Sequence, residues 1–344
     1  MTDPKLPFEL GVIALGNNAF EGYNNCYVLG LEADAETTLI DTAIPRPGTE
    51  QELKSGLESY GTSIDEIDRI LITHHHGDHS GLAGRIQARS GCSVHVHTQD
   101  APLVEQDPYE QAETDDTLEY YLDHWDVPTD KQDELLSFRT RRDTSEYERP
   151  TVTTFEDGEQ FNLGSIELTA VHLPGHSAGL CGFECTGRDG LELFSGDALL
   201  PYYTPNVGGA DTRVEQPLTK YLNALSRIID QNYARAWPGH RGPIIDPTGR
   251  AADIIFHHRE RTERVIRVLN DGPATAWEVS AALFGSLSSI HIMHGPGEAF
   301  AHLDHLQDSG VVSRDGKQYE LVDQDPDLDT LFPDVSAFNP LAEV

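Results

Sequence analysis

Thr73-His74-His75-His76-Gly77-Asp78-His79-Ser80-Gly81 follows the apolar run Ile70-Leu71-Ile72 and precedes Leu82-Ala83-Gly84-Arg85-Ile86. A β-branched apolar run, a polar stretch with glycine, then a resumed apolar period is the pattern of a buried strand, a tight turn and a helix start. While the chain is still extended, His74 and His76 stand two apart and project to the same side. Gly77 lets the chain reverse, bringing Asp78 and His79 round at the mouth of the helix. Three imidazoles and a carboxylate within six residues (His74, His76, Asp78 and His79) supply the nitrogen and hard-oxygen donors that zinc takes. A surface histidine cluster requires neither the strand-end position nor the interleaved acid.

Three later stretches offer partners. They are Val171-His172-Leu173-Pro174-Gly175-His176-Ser177, Leu193-Phe194-Ser195-Gly196-Asp197 and Trp237-Pro238-Gly239-His240. Each places a His or Asp just past an apolar run, beside Gly or Pro. The order His-x-His-x-Asp-His followed by His176, Asp197 and His240 resembles the signature of the metallo-β-lactamase superfamily, over roughly residues 8 to 250. Tyr23-Asn24-Asn25-Cys26-Tyr27-Val28-Leu29-Gly30 and Leu39-Ile40-Asp41-Thr42 resemble the opening strands of that family.

The resemblance implies an α/β fold, an αββα sandwich. It also implies two divalent metal ions, one held by His74, His76 and His176, the other by Asp78, His79 and His240, with Asp197 bridging them. Zinc is the expected metal; iron and manganese suit the same imidazole and carboxylate ligands. A pair of cations lowers the pKa of a shared water toward neutrality, and Asp78 is the expected catalytic residue that orients the resulting hydroxide and takes its proton. No Gly-x-Ser-x-Gly elbow or papain-like cysteine signature offers another nucleophile. Asp41 either orients metal ligands from behind or caps a turn.

At 344 residues the chain has room for a large domain and a smaller one. Its formal charge is −34, with acids spread along its length and lysine confined to Lys5, Lys54, Lys131, Lys220 and Lys317. A dispersed excess of that size makes a solvated acidic shell, which repels itself at low salt and suits a salt-accumulating cytoplasm. It also opposes binding to a phosphate backbone. Cys26, Cys92, Cys181 and Cys185 show neither a disulfide framework nor zinc-ribbon spacing. With no signal-like or long apolar segment, a soluble cytoplasmic protein is expected.

A catalytic domain is expected over 1–250. Within it, the helical stretch 104–149 interrupts the βα rhythm as a lid over the site or as a dimerisation helix pair, which would make the protein a homodimer. Its cluster Arg139, Arg141 and Arg142 either meets an anionic substrate or pairs with acids. His95 and His97 fall outside the ligand pattern and read as structural. Tyr202 and Tyr203, close behind Asp197, are candidates for substrate contact, and Arg241 either faces a substrate anion or pairs with a surface acid. Helices over 251–269, 275–283 and 296–309, then a hairpin turned at Asp315-Gly316, resemble a winged helix over 251–325, before an acidic tail at 326–344. Its third helix shows Glu298, Asp304 and Asp308, the wrong sign for phosphates, and its histidines read as core or interface residues.

The expected activity is hydrolysis of a small ester or thioester, as in the hydroxyacylglutathione (glyoxalase II-like) hydrolases. A winged-helix single-strand endoribonuclease and a non-hydrolytic diiron redox protein are the rival expectations.

Overall fold

The computed structural model describes residues 8–16, 22–142, 148–164 and 166–338, excepting the side chains of 140–142. The side chains of Arg141 and Arg142 and the tail beyond 338 therefore lie outside the described residues.

Among the described residues one sheet runs in chain order: β1 (Gly11–Leu15), β2 (Asn24–Leu29), β3 (Thr38–Ile40), β4 (Arg69–Leu71), β5 (Ser93–His97) and β6 (Val152–Phe155). Its first three strands pair antiparallel and the rest parallel. A second sheet comprises β7 (Gln160–Asn162), β8 (Glu167–His172), β9 (Cys181–Thr186), β10 (Leu191–Gly196) and β11 (Arg235–Pro238), in the order 11-10-9-8-7, with only β10 and β11 parallel.

The sheets face one another across Tyr27, Leu29, Ile40, Leu71 and Phe155 on one side and Phe161, Leu168, Phe183, Phe194 and Trp237 on the other. The one-turn helix α2 (Gly77–Ser80) lies between α1 (Pro47–Ser59) and α3 (Ala83–Ser90) in the chain, and α1 and α3 cover the outer face of the first sheet, chiefly through Leu53, Leu57 and Ile86. This is the expected αββα sandwich: each sheet buries one face against its twin and the other under helices.

Beyond β5 come α4 (Ala101–Val104), α5 (Pro108–His124) and α6 (Thr129–Arg142); α7 (Pro217–Gln231) and α8 (Pro247–Asn270) then cover the second sheet through Tyr221, Leu225, Ile254 and Ile255. The chain continues through α9 (Ala276–Phe284), α10 (His291–Asp308) and the hairpin β12 (Val312–Asp315) and β13 (Gln318–Leu321).

Helix α10 starts earlier than its Gly295-Pro296-Gly297 breaker predicts, with Pro296 inside the helix. Tertiary contact overrides the local signal, because both glycines lie where a side chain would strike neighbouring atoms. The boundary expected at residue 250 falls inside α8, whose first half packs on the second sheet and whose second half packs with α9 and α10.

Part of the apolar surface of α5 and α6 packs within the chain itself. Leu118, Leu122, Trp125 and Leu135 share one core with Val265, Val279, Phe300 and Leu303, and Lys131 Nζ donates to Leu287 O at 3.2 Å. The pair α5–α6 is thereby fixed to the C-terminal helices. As far as residue 338 the tail is strapped down, Phe332 and Val335 being buried against the second sheet's helices.

Asp304 on α10 carries a local cost. Burial and Asp308 push its carboxyl up to about 6, against a lesser pull from Arg314. Since the folded state favours the protonated acid, its contribution is fully present below about pH 4 and lost as pH rises through about 6. Asp304→Asn should therefore raise stability near pH 7.5 by about 1 kcal/mol, allowing for solvent screening, and leave it unchanged near pH 4. Thermal melts at the two pH values check this, and an equal shift at both would contradict it.

Candidate metal centre

Every expected ligand lies just beyond a strand's C-terminal end, on one rim of the sandwich. β4 leads to His74, His76, Asp78 and His79, β8 to His176, β10 to Asp197 and β11 to His240. The helix after the motif starts at Gly77 itself, so Asp78 and His79 sit in its first turn while His74 and His76 precede it. Gly239 is required by crowding: a Cβ there would stand 2.4 Å from Asp197 Oδ1 and 2.7 Å from the His79 ring.

The side chains converge as two clusters, His74–His76–His176 and Asp78–His79–His240. His76 Nδ1 lies 3.0 Å from His74 Nε2 and 3.1 Å from His176 Nε2. Asp197 stands between the clusters, with Oδ1 3.6 Å from His79 Nε2 and Oδ2 3.8 and 3.5 Å from His176 and His240 Nε2. Asp78 Oδ2 is 3.9 Å from His79 Nε2 and 3.8 Å from His240 Nε2.

The outer nitrogen of each ring fixes its tautomer. His76 Nε2 donates to Ala210 O at 3.2 Å and His176 Nδ1 to Asn206 O at 2.9 Å. His79 Nδ1 donates to Asp41 Oδ2 at 2.8 Å and His240 Nδ1 to Tyr23 O at 3.3 Å. Thr73 Oγ1 gives its proton to Asp41 Oδ2, so it accepts from His74 Nδ1 at 3.1 Å. The inner nitrogens of His74, His76 and His176 are then lone pairs aimed at one another, while those of His79 and His240 face the carboxylates of Asp78 and Asp197. The buried atoms His79 Nε2 and Asp197 Oδ1 have no hydrogen-bond partner. Facing lone pairs about 3 Å apart repel unless cations lie between them. This donor set fits metal ions.

Residues 19–240 match the model of the metallo-beta-lactamase superfamily, and 262–322 that of the metallo-beta-lactamase-like C-terminal domain. The chain belongs to the metallo-beta-lactamase superfamily. A crystal structure of a metallo-beta-lactamase family protein from Thermus thermophilus superposes with a TM-score of 0.77 at 30% identity, covering 91% of this chain and 98% of the other. The probable metallo-hydrolase YqjP of Bacillus subtilis is 26% identical over 80% of this chain and 86% of its own length. An atrochrysone carboxyl ACP thioesterase from Cryptosporiopsis is 24% identical over 71% of this chain and 57% of its own length. With these relatives, this superfamily member is an enzyme, a metallo-hydrolase.

Its two clusters differ in charge. Burial and neighbouring imidazoles hold His74 well below its usual range and His76 at about 3, and burial lowers His176, so this cluster offers neutral rings. Burial also opposes charge on His79, yet Asp197, Asp78 and Asp41 raise it well above its usual range; His240 rises for the same reason, through Asp197. His240 and His79 in turn hold Asp197 well below the carboxylate range despite its burial. The second cluster therefore demands positive charge, which a divalent cation supplies as well as protons do.

Asp41 lies behind the rings rather than capping a turn. It has φ 59°, a strained region for a non-glycine residue, and accepts from Thr73 N at 2.7 Å as well as from His79. Tyr202 and Tyr203 are 76% and 50% exposed, and the Arg241 guanidinium lies 5.6 and 5.1 Å from their ring centres. Arg139 pairs with Asp115 at 2.8 Å, and His97 stacks on His172, away from the clusters.

Sequence reasoning missed the surroundings. Asn24 Nδ2 donates to Asp78 Oδ2 at 3.2 Å. His75, inside the motif but outside the ligand set, joins Asp100, Asp211 and Arg213, with Arg213 2.7 Å from Asp100 and 2.6 Å from Asp211. These acids are buried and paired, as burial of charge requires. Spacing alone shows no carboxylate partner for the histidines of α10, yet Glu298 and His302 meet His258 of α8. Only the Asn24-Asn25 pair, adjoining a predicted strand, carried a local signal.

Asp41→Asn removes an acceptor oxygen from beneath His79 and should weaken metal binding at the Asp78–His79–His240 cluster about 10- to 100-fold. Chelator competition measures this; unchanged affinity would leave Asp41 without the assigned role.

Proposed function

We propose that the protein is a dinuclear metal-dependent hydrolase of small esters or thioesters, similar to the hydroxyacylglutathione hydrolases. The supporting observation is the set of five tautomer-fixed imidazoles whose lone pairs converge with Asp78 and Asp197 into two adjoining clusters. His74, His76 and His176 would hold one divalent cation and Asp78, His79 and His240 the other, with Asp197 between the two clusters. The donor set suits zinc, with iron and manganese as alternatives. Two such cations supply a water ionised near neutral pH and an electrophile for the oxygen under attack.

The chain's own groups do the rest. Asp78, which stays ionised because His79 and His240 outweigh its burial, orients that water and accepts its proton. Asn24 holds the Asp78 carboxylate from the side. Tyr202, Tyr203 and Arg241 form a cation–aromatic rim next to His240 that suits an acyl group bearing a carboxylate or phosphate. Thioester chemistry is favoured by the activity for which the thioesterase relative is named. The three C-terminal helices with their hairpin are read as a winged-helix-like module without a nucleic-acid role, given the acids of α10. The net charge of −34 suits a salt-accumulating cytoplasm.

Elemental analysis of the purified protein, run beside ester, thioester and phosphodiester panels at high salt, tests the assignment. Two metal equivalents per chain and thioester or ester turnover are expected. His76→Ala and Asp197→Ala should abolish turnover while far-UV dichroism is preserved. Normal turnover in either variant, or activity that survives dialysis against a strong chelator, overturns the proposal. Cleavage of single-stranded RNA without thioester turnover would point to the ribonuclease instead.

A further inference from the structure

Two of the three rings in the His74–His76–His176 cluster take their outer hydrogen bond from one segment with no regular secondary structure, residues 206–213. Carbonyls in such a segment orient rings only if the segment itself is held. One end is held by Asp211 and Arg213: Asp211 Oδ2 accepts from Ala178 N at 2.9 Å, and Arg213 donates to Gln99 O at 2.7 Å.

The other end is held by α10. Asn206 Nδ2 donates to His294 O at 3.1 Å and to Glu298 Oε2 at 2.8 Å. Glu298 is buried and its charge is met by Arg261 of α8. Next to this clamp the backbones touch: a Cβ on Gly297 would lie 2.3 Å from Gly209 Cα, and one on Gly209 would lie 2.6 Å from His294 Cα. Only paired glycines allow so close an approach of segment and helix.

We propose that the C-terminal module is part of the metal centre's positioning machinery: α10 fixes the His76 and His176 rings through the 206–213 segment, with Asn206 and Glu298 as positioning residues. The inference rests on the metal reading of the site. The path runs from Arg261 to Glu298, to the Asn206 side chain, and from the Asn206 carbonyl to His176 Nδ1. Its members come from two stretches matched by separate family models and from the helix that joins them. Orientation by an outer hydrogen bond is worth about 10- to 100-fold in metal affinity.

The full chain, stripped of metal, is titrated with Zn2+ and Co2+ as unaltered protein, Asn206→Ala, Glu298→Ala, Glu298→Gln and Gly297→Ala. Lys317→Ala, which removes a contact from the hairpin of the same module to Asp123 of α5, is the control. Asn206→Ala and Glu298→Ala should weaken one of two binding steps about 10- to 100-fold and spare the other. Glu298→Gln, which keeps an oxygen for Asn206, should recover part of the loss, and Lys317→Ala should bind as the unaltered chain does. If Gly297→Ala does not fold, the other variants still decide.

Nitrogen-15 spectra of the histidine rings in the metal-free chain give a second readout. His76 and His176 should each show one tautomer in the unaltered chain and a tautomer mixture in Asn206→Ala. Unaltered cation affinity together with unaltered ring spectra in Asn206→Ala and Glu298→Ala overturns the proposal. If the unaltered chain takes up no cation, the metal reading falls, while the ring spectra still decide whether α10 holds the rings.

Discussion

Five imidazole lone pairs and two carboxylates are confined to a volume where neighbouring donor atoms stand 3.0 to 3.9 Å apart. Without intervening cations this arrangement is repulsive among the nitrogens and leaves buried atoms without partners. A flexible chain would relax it by rotating the rings. The fold prevents that by giving each outer nitrogen its own oxygen acceptor: Asp41, Thr73 and Tyr23 for three rings, and Asn206 and Ala210 of the 206–213 segment for the other two. The sandwich is best understood as the frame that keeps these five acceptors in place.

That frame divides the labour electrostatically. The all-histidine cluster is neutral because burial suppresses protonation. The Asp78–His79–His240 cluster is anionic at heart, and its rings draw positive charge in response. The acidic shell is a separate matter, since it acts through solvent and is screened over about 10 Å or less.

The C-terminal helices are not a detachable appendage. α8 passes from the core beside the second sheet into the core that holds α5, α6, α9 and α10, and residues 331–335 return to the first of these. Removing the module would expose both cores and take away the His294 and Glu298 partners of the Asn206 side chain. A family model that ends at residue 240 and another that starts at 262 describe sequence units, whereas the packing makes one body of them.

The sequence by itself determined the ligand rim. Strand-end positions, Gly or Pro neighbours and the His-x-His-x-Asp-His order are local signals, and the family resemblance they carry implied the seven ligands and the two-layer sandwich. The apolar residues of α7 repeat on one face, a local signal of the same kind. Tertiary structure alone decided what lies behind the rim. Asn206, Ala210, Asp100 and Glu298 act through backbone carbonyls or through contacts distant along the chain, as in the 92-residue separation of Asn206 and Glu298, and no residue-type pattern marks them. The start of α10 and the destination of the 104–149 insertion were hidden for the same reason. In both, a proline or a polar surface gives the local signal, while close packing against a partner distant in sequence decides the outcome.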